Sequence, residues 1–431
     1  MTSGKTWILG IQHVLAMYAG AVVVPILVGG ALKLSAVQMA YLISADLFTC
    51  GIATLLQVLG TRWLGVGLPV VLGCTFTAVG PLISIGLTDN LPTAFGAILV
   101  AGLVVVVLAP VFGRLLALFP TVVTGSVVTV IGLSLIPVAM NDAAGGQGSP
   151  DFGQPVNLLL ALFTLLVILL LNRWARGFLR AISVLIGLVL GTLAAAVFGK
   201  VSLQSVAQAN WMGLIHPLYF GRPQFHLAAI VTMCVVCVVS MVESTGVYFA
   251  LSRITGRELK DADVVRGLRA EGVAIVLGGL FNTFPYTTFS QNVGLVSMTG
   301  VKKRSVVAAA GVLLIILGFL PKIAALTTEI PSSVLGGAMI AMFGMVVASG
   351  LNILKMVDLH RQENMLVVAC SVAVGLGVAV VPQMFDHLPG ALKMLLQSGI
   401  VMGSATAVGL NLLLNRSSVR SVTAPDMAME S

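Results

Sequence analysis

Along the chain, long apolar runs alternate with short polar breaks, and the runs have the length of about 20 residues that a membrane helix needs. They mark fourteen segments, at about 7–28, 38–59, 66–86, 92–112, 114–139, 156–172, 178–198, 226–252, 263–281, 285–299, 304–325, 330–351, 364–381 and 387–414. The third and tenth are short and interrupted by Pro, Gly and polar residues. The lead from Met1 to Thr6 is polar, and the run from Trp7 goes on too long, without a cleavage site, for a removable signal. The pattern predicts an all-α polytopic membrane protein.

Fourteen is twice seven, and two halves of seven spans must cross in opposite senses. Prolines support the division. Pro110 and Pro120, with Gly125 beyond them, match Pro321, Pro331 and Gly336 at an offset of 211. Pro69 and Pro285 open the interrupted third span of each half, and six residues further on stand Thr75 and Gln291. Inverted repeats with helices broken at matching places point to the midplane site of a transporter. A broken helix leaves backbone N–H and C=O groups that lipid cannot satisfy. It survives where protein or a polar cavity supplies partners, and a substrate rich in donors and acceptors is one such partner.

Charge at membrane depth costs about 2.5–3.5 kcal/mol per residue on insertion scales, so each instance is a functional candidate. Four stand out: His13, Asp46, Glu243 and Glu271. Glu243 lies deep in an apolar run and suits substrate binding, proton carriage or both; the plainer alternative is a hydrogen-bonded structural anchor. An apolar setting disfavours the charged form of a carboxylate, the property a proton carrier needs. Glu271 lies nearer a helix end, where snorkelling or pairing with Arg269 is the alternative. His13 reads equally as a packing or a site histidine, and Asp46 reads as a packing or gating residue. The densest polar run at depth is residues 281–300, with Asn and Gln side chains that offer donor and acceptor on one group, suited to the edge of a heterocycle. Within it, Pro285 and the Thr-Thr-Phe run favour extended backbone, followed from Gln291 by a short helix whose N-terminus faces the break.

Composition narrows the class. The chain of 431 residues is 58% hydrophobic and 9% charged, against about 25% charged in soluble domains. The net charge of +8 does not indicate nucleic acid, because the basic residues cluster in short breaks between apolar runs. With both termini in the cytoplasm, all of the 23 Lys and Arg residues fall inside except Lys33, Lys200, Arg222, Lys322 and Lys393. Dropping only the tenth segment would put Arg253–Arg269 and Lys302–Arg304 on opposite sides. Five cysteines lie in or near apolar runs, and the CxxC of Cys234 and Cys237 lacks further metal ligands nearby.

The stretch from Gln291 to Gly300 resembles the signature of the nucleobase–ascorbate transporter family, [Q/E/P]-N-x-G-x-x-x-x-T-[R/K/G], at every specified position. The likeness extends to QHVLAMYAG in the first span, ESTG in the eighth and FN-x-FP-x-T-x-FSQN before the motif, and covers essentially the whole chain. It implies fourteen segments in two inverted sevens, with short strands in segments 3 and 10. A core domain would comprise residues 1–113 and 226–326 and a gate domain 114–225 and 327–415, with 416–431 a cytoplasmic tail. Residue by residue, the resemblance makes Glu243 the carboxylate that binds the base and Gln291 the reader of purines. Ser290 and Phe76 become main-chain contacts, with the Phe76 ring able to stack. Glu271 becomes an acid linked to coupling, His13 a support of the site, and Asn292 an orienter of the strand. Thr75, Ser290 and Val293 look like the urate-carrying branch, as does Val247, where several xanthine carriers have Asp. Gly300 looks like the xanthine carriers. Substrate preference stays open between the two.

The expectation is therefore a proton-coupled symporter for uric acid, xanthine or both in a bacterial cytoplasmic membrane. It is not an enzyme, needs no cofactor beyond the proton gradient, binds no nucleic acid and, by resemblance, forms a homodimer through the gate helices. The rivals are a carrier of uracil or another nucleobase, an inorganic-anion exchanger of the same architecture, a channel, and a membrane-embedded enzyme, for which no nucleophile–base pair or phosphate-binding loop is visible.

Overall fold

The computed structural model describes residues 3–116 and 118–415, so the proposed tail with Arg416 and Arg420 lies outside the described residues. The first half runs α1 (Ser3–Ala31), α2 (Ala36–Leu59), β1 (Leu72–Cys74), α3 (Val79–Thr88), α4 (Leu91–Leu108), α5 (Phe112–Leu116), α6 (Thr121–Ala143), α7 (Pro155–Trp174), α8 (Phe178–Ala181), α9 (Ser183–Val197) and the short α10 (Gln204–Gln208). The second half runs α11 (Leu227–Thr255), α12 (Asp261–Leu280), β2 (Tyr286–Thr288), α13 (Ser290–Thr299), α14 (Arg304–Gly318), α15 (Pro321–Thr328), α16 (Ser332–Leu354), α17 (Gln362–Val380), α18 (Gly390–Leu396) and α19 (Gly399–Leu414).

Among the described residues, eight helices are long and apolar enough to cross a membrane: α1, α2, α4 with the turn after it, α6, α7, α11, α16 and α17. The apolar pattern overreads three places. The fifth segment, expected from 114, begins its long helix only at Thr121, because residues 114–116 belong to the separate short α5 and Pro120 sits at the N-cap of α6 in extended backbone. The eleventh, expected as one span over 304–325, is bent by 81° between α14 and α15, where Pro321 opens the second piece. The fourteenth, expected over 387–414, is split into α18 and α19. There the Ser398 hydroxyl accepts from Val401 N at 3.3 Å and starts a new helix. By contrast Pro25 and Pro137 sit inside α1 and α6 without ending them.

The helices pack in two groups, and the pairings come in couples. In one group α2 lies on α14 and α4 on α12, with α1 against α14 and α11 against α4. In the other α6 lies along α16, flanked by α17 and α19 on one side and by α7 and α9 on the other. Small residues set the closeness. A Cβ at Gly102 would stand 2.6 Å from Val276 N of α12, and one at Gly51 would stand 2.5 Å from Gly311 O of α14.

The two interrupted segments meet in the first group. β1 pairs antiparallel with β2, Leu72 opposite Thr288, Gly73 opposite Thr287 and Cys74 opposite Tyr286. The pairing continues at both ends: Thr75 N donates to Pro285 O (2.9 Å) and Phe289 N to Val71 O (3.0 Å). Each broken span thus supplies the hydrogen-bond partners that lipid would deny the other.

Candidate functional site

One helix addresses both broken spans. Ser240, Glu243 and Ser244 fall within one turn of α11 and share a face. Ser240 donates to the Thr75 hydroxyl at 3.5 Å. Ser244 lies 3.1 Å from the Thr287 hydroxyl, and its Oγ accepts from Thr288 N at 3.2 Å and from Thr288 Oγ1 at 3.3 Å. Glu243 therefore sits between the contact with segment 3 and the contact with segment 10. Its side chain is half-buried, and among the described residues nothing hydrogen-bonds its carboxylate.

Segment 3 presents Thr75 and Phe76 just past β1. Thr75 is buried and its hydroxyl caps a three-residue 3₁₀ turn, Phe76–Ala78, by accepting from Thr77 N at 3.2 Å. The half-buried Phe76 ring meets Phe343 of α16 edge to face, centroids 5.6 Å apart at 82°, so it lies where the two helix groups touch. Segment 10 presents Ser290 and Gln291, both exposed, at the start of α13. Gln291 lines a cavity of about 200 Å³ between α1 and α13 on one side and α8, α9 and α16 on the other, with Gly20, Arg180, Ser183 and Met342 among its walls. No hydrogen bond joins Glu243 to Gln291 or Ser290 among the described residues. The structure brings Thr75 and the β2 threonines onto the turn of α11 that carries Glu243, and leaves Gln291 facing this cleft.

The floor is fixed by buried polar pairs. Asn292 donates to His13 Nδ1 and to His13 O, both at 3.1 Å, and both residues are buried. The first bond makes Nδ1 an acceptor, which leaves the imidazole proton on Nε2. His13 thus ties α1 to α13. Asp46 is fully buried and accepts from the Tyr286 hydroxyl at 3.0 Å, while Thr283 Oγ1 lies 2.7 Å from that hydroxyl; the acid pins β2 from below. Glu271 does not pair with Arg269, whose guanidinium lies over the Trp63 ring at 6.0 Å. Instead it is fully buried, with the Tyr248 hydroxyl donating to Oε2 at 3.5 Å and Oε1 left without a partner.

Three residues in this region escaped the sequence reading: Ser240, Gln57 and Tyr248. Gln57 Nε2 donates to Tyr248 Oη (2.8 Å) and Gly267 O (2.7 Å), and its Oε1 accepts from Val66 N (3.1 Å). Gln57, at depth in α2, carried the same signal as Gln291, a carboxamide inside an apolar run. Phe289 also matters for shape. Its ring fills the gap between Gly20 of α1 and Gly73 of β1, where an added Cβ would stand 2.7 Å and 1.8 Å from it. Cys234 and Cys237 are free thiols, and no group of three or more His, Cys, Asp or Glu residues that could hold a metal occurs among the described residues.

Comparison with known proteins adds three findings. The family model Xan_ur_permease, described as "Permease family", matches residues 4–384. At 57% identity the chain is similar to the nucleobase transporter PlUacP of Paenibacillus larvae (96% of this chain, 95% of that one) and to the xanthine permease of Bacillus subtilis (96% and 94%). It is 56% identical to the uric acid permease PucK of B. subtilis, over 94% of each chain. In fold it resembles the transmembrane domain of the cyanobacterial bicarbonate transporter BicA, with a TM-score of 0.67 over 90% of this chain and 96% of that one, at 18% identity.

Proposed function

This chain belongs to the permease family that contains the xanthine and uric acid permeases, and from that premise we propose that it is a proton-coupled symporter importing uric acid, xanthine or both. It is an integral membrane protein and a permease rather than an enzyme. The observation that carries the reading is the placement of Glu243. One turn of α11 touches both broken spans, and the carboxylate between those contacts has no hydrogen-bond partner of its own among the described residues. A purine presents ring N–H and C=O groups side by side, so its N–H edge suits Glu243 and the carboxamide of Gln291 suits a neighbouring edge. Thr75 and Ser290 contribute contacts at the strand ends, and the Phe76 ring stacks on the base.

In this reading the group built on α1–α4 and α11–α15 is the core (1–113 and 226–326), and the group built on α6, α7, α9, α16, α17 and α19 is the gate (114–225 and 327–415). Counting the bent α14–α15 pair, three shorter apolar helices, α12 and α13 as crossings beside the eight long helices gives fourteen spans. The coupled pairings α2–α14 with α4–α12 are what two inverted sevens would make. Both termini lie in the cytoplasm, since the basic residues cluster on that side. Protonation of Glu243 or Glu271 couples uptake to the gradient. His13 and Asn292 hold the site, and the gate helices form a homodimer. Anion exchange, the rival, rests on fold likeness alone.

The test is uptake of labelled urate competed by xanthine, uracil and hypoxanthine, with and without a proton gradient. Urate uptake that xanthine competes more strongly than uracil or hypoxanthine, and that is lost when the gradient is collapsed, is expected. Competition by bicarbonate or sulfate instead overturns the reading. Glu243→Ala should abolish gradient-driven accumulation while the protein stays in the membrane at normal level, and unchanged accumulation would remove Glu243 from the mechanism.

A further inference from the structure

Away from this site, a cavity of about 480 Å³ opens where the chain leaves α2, where α4 ends and where α12 begins. Four of its lining side chains are cations: Arg62, Lys260, Arg266 and Arg269. Its single lining acid, Asp263, is bound by Arg266 and faces Arg257 at 3.5 Å. Arg62, Lys260 and Arg269 therefore face the cavity with no ion-pair partner among the described residues. Arg266 Nε is a buried donor without an acceptor. Three uncompensated cations in one hollow repel one another, and that cost is offset when an anion enters. Guanidinium forks match phosphate oxygens two at a time.

A second, independent feature says which phosphate. From the cavity, α4 leads away with an apolar stripe facing outward: Leu103 (56% exposed), Val107 (74%) and, on the turn past its end, Val111 (43%), each four residues from the next on one face. Trp63, 66% exposed, stands at the rim with Arg269 over its ring. An exposed indole beside cations is what a bilayer interface selects. Free phosphate would use the cations and leave the stripe idle.

We propose that this cavity binds an anionic phospholipid, with the phosphate among Arg62, Lys260, Arg266 and Arg269 and an acyl chain along Leu103, Val107 and Val111. Basic hollows between membrane helices take such headgroups. The ligand would fasten together the ends of α2, α4 and α12, the helix that carries Glu271, and so would stabilise the folded core by linkage. The site stands apart from the transported solute; only the leaflet it faces rests on the orientation proposed above.

The experiment uses the whole protein purified in a neutral detergent. Native mass spectrometry and thermal melting are followed on addition of cardiolipin, phosphatidylglycerol, phosphatidylcholine or inorganic phosphate. Cardiolipin and phosphatidylglycerol should bind and raise the melting temperature, while phosphatidylcholine and inorganic phosphate should not. Arg62→Gln/Arg269→Gln should weaken cardiolipin binding at least about tenfold, a loss of ~1.4 kcal/mol, and Lys33→Gln, at the other end of α2, should leave it unchanged. Val107→Asp, on the stripe and outside the cavity, should weaken the lipid too. The proposal falls if inorganic phosphate reproduces the lipid's shift, if phosphatidylcholine binds as well as cardiolipin, or if either the double variant or Val107→Asp binds cardiolipin like the parent. None of these results depends on whether the solute is a purine.

Discussion

Segments 3 and 10 are counterparts, yet they divide the labour unequally. Both place a three-residue strand at the centre of the molecule, each continued by a ten-residue half-helix. Leu72 and Tyr286 open the strands 214 positions apart, whereas Val79 and Ser290 open the half-helices 211 apart. The three-residue difference is the turn Phe76–Ala78, which segment 10 lacks. In segment 3 that turn carries Thr75 as its cap and delivers an aromatic ring towards α16, and its half-helix, α3, is apolar. In segment 10 the half-helix starts at once, so Ser290 and Gln291 stand exposed at its first turn while Asn292 reaches back to His13. In the proposed reading, one segment contributes shape and an aromatic ring. The other contributes hydrogen-bonding chemistry, and its helix N-terminus adds a favourable dipole.

Variants can break that contrast. The largest effect is expected from Gly73→Val, which puts branched carbons where even a Cβ would stand 1.8 Å from the Phe289 ring. Overpacking of this kind costs about 1–3 kcal/mol when neighbours can yield, and a ring held between two helices and a strand has little room, so uptake should fall to background. Retained uptake would show that segment 3 does not set the shape. Next comes Asn292→Leu, which removes both bonds to His13. Leaving a buried polar group unpaired costs ~1–3 kcal/mol, so initial uptake should drop on the order of tenfold or more at equal membrane level, scored by immunoblot. Gln291→Glu should raise the KM for purine roughly tenfold, about 1.4 kcal/mol, with the maximal rate little changed; an unaltered KM would relieve Gln291 of edge reading. Thr75→Ala should be mildest, under about threefold, because the two hydrogen bonds its hydroxyl accepts, from Thr77 N at 3.2 Å and from Ser240 at 3.5 Å, are neutral and long, at the weak end of the range. If Thr75→Ala proved more damaging than Gln291→Glu, the assignment of chemistry to segment 10 would be reversed.

Legibility followed the same contrast. Segment 10 was readable because Asn282, Thr283, Gln291 and Asn292 stand out against apolar surroundings, and Glu243 because a lone carboxylate in a run such as VVSMVESTG has few bland explanations. Segment 3 offered Pro69 and Thr75 alone, so its turn went unseen. Who meets whom was hidden. In a helix apolar on all sides, no periodicity reports its rotation. Nothing in the pattern could therefore say that Gln57 reaches Tyr248, that Tyr286 reaches Asp46, or that Glu271 turns away from Arg269. The breaks at Pro321 and Ser398 were missed for a related reason: apolar length continues across them while the backbone direction does not.

The pairing of β1 with β2 also sets an order of events during synthesis. Tyr286 is translated 212 positions after its strand partner Cys74, which at about 5–20 residues per second leaves an interval on the order of ten to forty seconds. Throughout it, the nascent first half holds a segment with unmatched backbone amides in or beside the bilayer, where such groups are costly. The ribosome therefore completes every helix from α3 through α12 before the first half's own broken segment can be satisfied. A chain terminated before residue 286 would carry that exposed edge permanently, and it would present itself to membrane quality control as unfinished.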